Sequence, residues 1–430
     1  MAPIITRRDW LKTTTLTGAA AMLAPRSASA GYPANNRLNI AVVGVGGRGR
    51  VNLDGVAGEN IVALCDVDDH RASDAYAAFP KVKKFKDYRV MLDKMDREID
   101  AVVISTPDHT HYHPATRVMG MSKHLYLEKP MAHSVWEVRE LTNLARESGV
   151  ATQLGVQRHT IPNVHRVVEL IQSGAIGTVT EVHSWVDSER GMVVIPENEP
   201  NVPTFLDWDL WVGPAKKRAY HPSIAPYGWR FWWDYGTGET GNWGCHILDL
   251  PYWALSLTYP EHVSATGPEP DDLTTTKSMH AQFRFAKRGN NAPVTLHWYQ
   301  QAGGPEILKR HGLPAGGNNN LFIGTEGMLL CGFNQFTLLP EEKYADFTAP
   351  DPFIPDSPGF HQEWIDACKG GPRPTCEFDY SGPMTETVLL GNAAYRAQAE
   401  FDWDSKELRT EGSNRAQKYI QPRFRNRWRG

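Results

Sequence analysis

The sequence predicts an α/β protein in two parts: an N-terminal parallel-sheet part made of βαβ units, then a part dominated by strands. Three observations carry this. From Leu38 to Val156, short apolar runs alternate with helix-period segments. The first run leads into a glycine-rich loop that opens a helix. Beyond Leu255 the pattern turns to alternating strands separated by Gly- and Pro-rich turns.

The 430 residues, 41% hydrophobic and 22% charged, have room for two to three domains with cores of their own. That composition excludes disorder as the dominant state. A net charge of −4 gives no global attraction to nucleic acid, and no run reaches a membrane span. Five cysteines are too few for a disulfide scaffold, although Cys368 and Cys376 are close enough in sequence to pair after export. Tryptophan is abundant, at 14 residues.

Residues 1–30 read as an export leader. Thr6-Arg7-Arg8-Asp9-Trp10-Leu11-Lys12 resembles a twin-arginine signal, with Trp10 where that pattern usually has Phe. An uncharged stretch from Thr13 to Pro25 and the small-x-small site Ala28-Ser29-Ala30 follow. Cleavage removes Arg7, Arg8, Lys12 and Arg26 against Asp9 and takes the net charge from −4 to −7. Such a route carries folded protein, so the expectation is an extracytoplasmic (periplasmic) location with a cofactor installed beforehand and no stable membrane insertion.

Residues 31–157 form the first predicted domain. Strand Leu38–Val43 runs into Gly44-Val45-Gly46-Gly47-Arg48-Gly49, and a second strand, Ile61–Cys65, ends at Asp66. This is the dinucleotide fingerprint in its proper setting: Asp66 lies 22 positions after Gly44. Gly44 permits the tight turn, Gly46 and Gly47 let the backbone approach a pyrophosphate, and Gly49 lets helix and strand pack. A carboxylate at Asp66 accepts from ribose hydroxyls and repels a 2′-phosphate, favouring NAD over NADP; Arg48 is the one group that could reach such a phosphate. After strand Ile99–Ser105, the loop Thr106-Pro107-Asp108-His109-Thr110-His111-Tyr112-His113 sits where ligands bind in parallel sheets. Thr106, Pro107 and His109 are therefore expected on the cofactor. The alternating histidines look metal-like, but no metal site is expected without a fourth ligand nearby.

Strand His124–Leu127 then ends in Glu128-Lys129-Pro130. The glycine loop, Asp66 and this EKP motif, in this order, resemble the Gfo/Idh/MocA superfamily of NAD(P)-dependent sugar and cyclitol oxidoreductases. The resemblance implies that Lys129 lies beside the nicotinamide and relays the substrate proton, with Glu128 and Gln157 on the cofactor side. Pro130 admits a cis peptide. It also implies that residues 158–430 form an α+β domain with a large, mainly antiparallel open sheet packed on a partner subunit, giving a dimer or tetramer.

Gly241-Asn242-Trp243-Gly244-Cys245-His246-Ile247-Leu248-Asp249 resembles the G-D-x-G-x-H-x-x-D signature of that superfamily. It implies His246 as general acid/base, with Asp249 three residues on, on the same helical face, able to orient the imidazole. Asn242 replaces the usual Asp, leaving more of the proton work to His246 and Lys129. Six of the 14 tryptophans fall between 187 and 245. Aromatic faces stack on sugars, so two or three tryptophans are expected to line the site, and Trp229, Arg230, Trp233 and Tyr235 join Asn242 as candidate substrate contacts. The basic tail from Lys418 to Gly430 is expected to lie on a neighbouring subunit. Three readings follow: an NAD-dependent oxidoreductase acting on a carbohydrate or cyclitol, an NAD-dependent glycosidase working by transient oxidation (with Tyr227, Tyr235 or a loop histidine as an extra base), or a non-catalytic sugar- or NAD-binding protein.

Overall fold

The structure is a computed structural model and describes residues 37–425 apart from Asn290, together with Trp428. The leader motif and the last arginines of the tail, Arg427 and Arg429, lie outside the described residues.

Six strands form the first sheet: β1 (Asn39–Val43), β2 (Asn60–Cys65), β3 (Lys83–Phe85), β4 (Ala101–Ile104), β5 (His124–Leu127) and β6 (Thr152–Leu154). All pair in parallel, in the order β3-β2-β1-β4-β5-β6. Parallel strands covered on both faces read as unbroken apolar runs, and Ile40 to Val42 and Ala101 to Ile104 are fully buried. The order reverses between β1 and β4, where a crevice opens at the carboxyl ends. β3 escapes sequence reading because its three residues, Lys-Lys-Phe, carry no periodicity.

The second sheet has nine strands: β7 (Val179–Val186), β8 (His262–Thr266), β9 (Met279–Phe285), β10 (Val294–Gln300), β11 (Asn320–Gly324), β12 (Met328–Cys331), β13 (Phe336–Leu339), β14 (Phe401–Asp404) and β15 (Arg409–Glu411). Their order is β13-β12-β11-β7-β10-β9-β8-β14-β15. Every pairing between these strands is antiparallel except β7 with β10, so the sheet is mixed and mainly antiparallel. Val182, Leu296 and Trp298 bury their side chains on one face; Glu181, His183, His297 and Tyr299 occupy the other.

The two sheets share a spine, the 20-residue helix Phe378–Ala397. It packs on the first domain's helix Val135–Ser148 and on β8 and β9. Sequence periodicity places its start at Thr385. It begins seven residues earlier and carries Pro383 as its sixth residue, where the ring removes one i→i−4 hydrogen bond, so the sequence reads there as a break.

One expectation is corrected here. The described part of the basic tail folds back on its own chain: Arg425 donates to Asp209 Oδ1 at 2.8 Å, and Trp428 seats against His113 and under Arg89. All five cysteines are buried and free, so Cys368 and Cys376 are not paired.

Candidate active site

The crevice at the strand-order reversal is a cleft of about 770 Å³. Its floor is the turn after β1. Gly44 has φ +78°, and a Cβ there would lie 2.7 Å from the Ser105 carbonyl oxygen. A Cβ on Gly46 would meet the Arg71 carbonyl oxygen at 2.8 Å, and one on Gly49 the Gly44 carbonyl oxygen at 1.8 Å. Helix Arg48–Gly55 starts here with no side-chain cap, so its first N–H groups face the cleft, the usual seat of a pyrophosphate. Asp66 lines the wall; its carboxylate accepts from Val45 N at 2.8 Å and Asp68 N at 3.0 Å, which ties the glycine turn to the end of β2. These features fit a dinucleotide. Thr106 and Pro107 line the same cleft.

Arg48 does not point toward Asp66. Its Nε donates to Glu128 Oε1 at 3.1 Å. Glu128 is buried and also accepts from Asn52 Nδ2 at 2.9 Å and Gln157 Nε2 at 2.8 Å. Burial alone would push its carboxyl up, but Arg48, Lys129 and these amides outweigh that and hold it below its ordinary 4.5. Glu128 is thus the knot joining the glycine loop, β5 and Gln157.

Beyond the cis peptide Lys129–Pro130, Lys129 Nζ donates to the Asn242 carbonyl oxygen at 2.6 Å and to Asn242 Oδ1 at 3.2 Å. Burial lowers the basicity of Lys129, with Glu128 pulling the other way. Asn242 sits in a π turn, Thr240–Gly244, that feeds helix Cys245–Ala254; such insertions frequently mark functional sites. Its own amide is held by buried Glu239, which also pairs with Arg190. One turn on, His246 faces the same cleft. Burial, then the charges of Lys129, Arg158 and Arg48, push its imidazole well below 6.5, so it is neutral. Its Nδ1 is buried without a hydrogen-bond partner among the described residues. Lys129, Asn242 and His246 are therefore brought together at one wall.

Four expected contacts are not brought there. Asp249 shares a helix with His246 but faces the other way: it holds His159 Nδ1 at 2.9 Å and accepts from Tyr380 Oη at 2.7 Å. Helical spacing sets a face and not a partner, and His159, stacked 4.0 Å over Trp253, was the closer base. His109 is buried with its ring nitrogens against the carbonyl oxygens of Tyr235 (3.1 Å) and Trp211 (3.0 Å), so it fastens the Trp-rich segment instead of touching the cleft. His111 and His113 turn to other carbonyls, of Pro130 and Trp428. Trp233 sends its indole N–H to the Asp271 carbonyl and lies under Arg396. Tyr235 packs among Trp208 and Trp211 with its hydroxyl on the Lys216 carbonyl. Leu206, Trp208, Trp211, Ile224, Trp229, Trp232 and Tyr235 form a small core of their own, which is why Trp208 and Trp232 are packing and not binding residues.

What lines the cleft from this segment is Trp211, Trp229, Tyr227 and Arg230. Arg230 is stacked between Tyr227 (4.5 Å) and Trp229 (4.3 Å). Sequence reasoning missed Arg71, Arg158 and Trp428, which also line it. Arg158 stacks on Trp243 and Phe333. Trp428 is 7% exposed, and its indole N–H has no partner among the described residues; no local pattern links a residue at the far end of the chain to this cleft.

Two family models match: an oxidoreductase family NAD-binding Rossmann fold over residues 38–156, and the C-terminal alpha/beta domain of the same family over 163–286. Among curated relatives, a glycosyl hydrolase family 109 protein of Solibacter usitatus is 30% identical over 200 residues, 40% of this chain and 44% of its own length. An inositol 2-dehydrogenase of Rubrobacter xylanophilus is 31% identical over 166 residues, 37% of this chain and 47% of its own. The chain thus spans under half the length of these relatives. Among solved structures, the WlbA dehydrogenase of Bordetella pertussis, in complex with NADH and UDP-GlcNAcA, has a TM-score of 0.62 at 18% identity, covering 86% of this chain and 99% of that one. Levoglucosan dehydrogenase, in complex with NADH and levoglucosan, has a TM-score of 0.59 at 17% identity, covering 85% and 99%. By these matches, spanning both sheets, the chain belongs to the Gfo/Idh/MocA family of NAD-binding oxidoreductases.

Proposed function

We propose that this chain is an exported, NAD-dependent oxidoreductase that transfers hydride between a carbon of a sugar, cyclitol or glycoside and a nicotinamide it holds tightly. The observation that carries the reading is the meeting of Lys129, Asn242 and His246 in one cleft with the glycine turn. Bound nicotinamide supplies the hydride acceptor. Lys129, its amine favoured by burial and by a neutral partner, takes the substrate hydroxyl proton. Neutral His246 donates its ring N–H to the oxygen of the same hydroxyl and orients it. Arg230 and the faces of Trp229 and Tyr227 offer a polar and stacking wall to a carbohydrate. Asp66 supports NAD over NADP, and Arg48, the one group that could reach a 2′-phosphate, is turned to Glu128 through its Nε. Trp428 lines the cleft and Arg425 is tied to Asp209 on the same chain, in keeping with a cofactor that stays bound outside the cytoplasm.

A second reading, a glycosidase that oxidises transiently and returns the hydride, is favoured by Tyr227. It lines the cleft, half-exposed, and its hydroxyl accepts from Arg190 Nη1 at 2.7 Å, leaving its own proton free to move. Denaturing the as-isolated protein and identifying the released nucleotide by mass spectrometry, then screening free sugars and nitrophenyl glycosides, tests both readings. NADH accumulation with a free sugar supports the first. Nitrophenol release without net NAD turnover supports the second. Protein that binds no nucleotide and turns over nothing sinks both.

A further inference from the structure

The nine-stranded sheet carries a cluster that the cleft does not use. On the face opposite Val182, Leu296 and Trp298, the strands β7, β10 and β9 place Glu181, His183, His297, His280 and Tyr299 side by side. In register, His183 sits beside His297 and Tyr299 opposite His280. The two imidazoles of His183 and His297 stack at 4.6 Å, 6° from parallel. Glu181 Oε1 lies 3.0 Å from His183 Nε2 and 3.2 Å from His297 Nε2, and the three ligand atoms are all within 4.8 Å of one another. Ligands around a tetrahedral Zn²⁺ at about 2.0–2.1 Å stand about 3.4 Å apart. The two carboxylate–imidazole distances lie within a few tenths of an ångström of that spacing.

The outer bonds point the same way. His183 Nδ1 meets Tyr299 Oη at 2.9 Å, and His297 Nδ1 meets His280 Nε2 at 3.0 Å. Both outer partners are able to donate or accept, so each imidazole can keep its proton on Nδ1 and turn a lone pair on Nε2 toward the carboxylate. Outer groups of this kind fix the tautomer of metal-bound histidines. His183 Nε2 is buried and has no well-aligned hydrogen-bond partner, although the Glu181 carboxylate is near. Glu181 is 39% exposed, which leaves the fourth position open to water or to a further ligand.

We propose that Glu181, His183 and His297 form a binding site for a divalent transition-metal ion of the zinc class, on the sheet face turned away from the dinucleotide cleft. None of the three lines that cleft. The test uses the full chain without a histidine tag, stripped with chelator and titrated with Zn²⁺ in competition with a chromogenic chelator. One Zn²⁺ per chain is expected to survive gel filtration, and Co²⁺ in its place should give the visible d–d bands of a four-coordinate site. Glu181→Gln and His297→Ala should each weaken Zn²⁺ binding at least tenfold, and Tyr299→Phe by about tenfold. Nucleotide content should be unchanged in all three. Absence of stoichiometric binding by the wild type overturns the proposal on its own, whatever the variants do. So does binding that survives Glu181→Gln combined with His297→Ala.

Discussion

Asn242 offers the sharpest chemical test, because it is where this chain departs from the family signature. Asn242→Asp places a carboxylate at the position of Oδ1, 3.2 Å from Lys129 Nζ. At that distance the gross attraction is about 5 kcal/mol for an effective dielectric near 20. Burying the new carboxylate offsets most of it. The net gain is better taken from hydrogen bonds: about 1 kcal/mol separates a charge-assisted bond from a neutral one. That favours ammonium over amine by about fivefold at fixed pH. Lys129 works as the free amine, so the rate rises with pH as Lys129 deprotonates, and a stabilised ammonium moves this rise to higher pH. The assay is NADH formation against pH with the best substrate from the sugar panel, wild type beside variant. On the rising limb, kcat/KM should fall about fivefold, with the alkaline plateau retained. An unshifted limb, or one moved toward acid, would refute Lys129 as the proton acceptor.

Other outcomes follow from the same geometry. Glu128→Gln removes the carboxylate that holds Arg48, Asn52 and Gln157 and should cost about 2 kcal/mol at neutral pH in urea melts. Because the folded-state carboxyl is held below 4.5, that contribution is present above about pH 4.5 and lost in acid, where the two curves should converge. Gly46→Ala forces a Cβ to within 2.8 Å of the Arg71 carbonyl and should reduce the bound nucleotide recovered after gel filtration, by about tenfold or more in affinity. Trp428→Ala together with Arg425→Ala should release NAD about tenfold faster, read by the loss of bound nucleotide on dialysis. Asp66→Ala should narrow the preference for NAD over NADP, measured by binding of each, since Arg71 and Lys86 at the same wall then meet no opposing carboxylate from β2.

Much of the first domain is legible because its signals are local. The run Ile40 to Val43, the glycine loop, Asp66 and His124–Leu127 each announce themselves within a few residues, and the structure puts them at one crevice. The second domain is legible as strands but not as an arrangement: nothing local says that β7 pairs in parallel with β10, or that Phe378–Ala397 runs through Gly382 and Pro383. The site divides the same way. Lys129 and His246 carry motifs. Asp249 shares a helix with His246, yet its partner is His159, 90 residues away in sequence. Trp233 and Tyr235 sit in an aromatic-rich segment, and whether a ring faces a ligand or a neighbour depends on the small core that His109 pins down. Arg71 and Trp428 reach the cleft only through tertiary packing.

The central claim is that Lys129 takes a substrate hydroxyl proton, with His246 orienting that hydroxyl, beside a bound nicotinamide. The direct measurement is the reduction of protein-bound NAD, followed by its fluorescence when as-isolated protein is mixed with a substrate from the sugar and glycoside panel. Wild type should reduce its bound NAD, whereas Lys129→Met and His246→Ala should retain the nucleotide and reduce it at least a hundredfold more slowly, about the worth of a positioned acid–base group. Equal reduction rates in all three proteins would contradict the account.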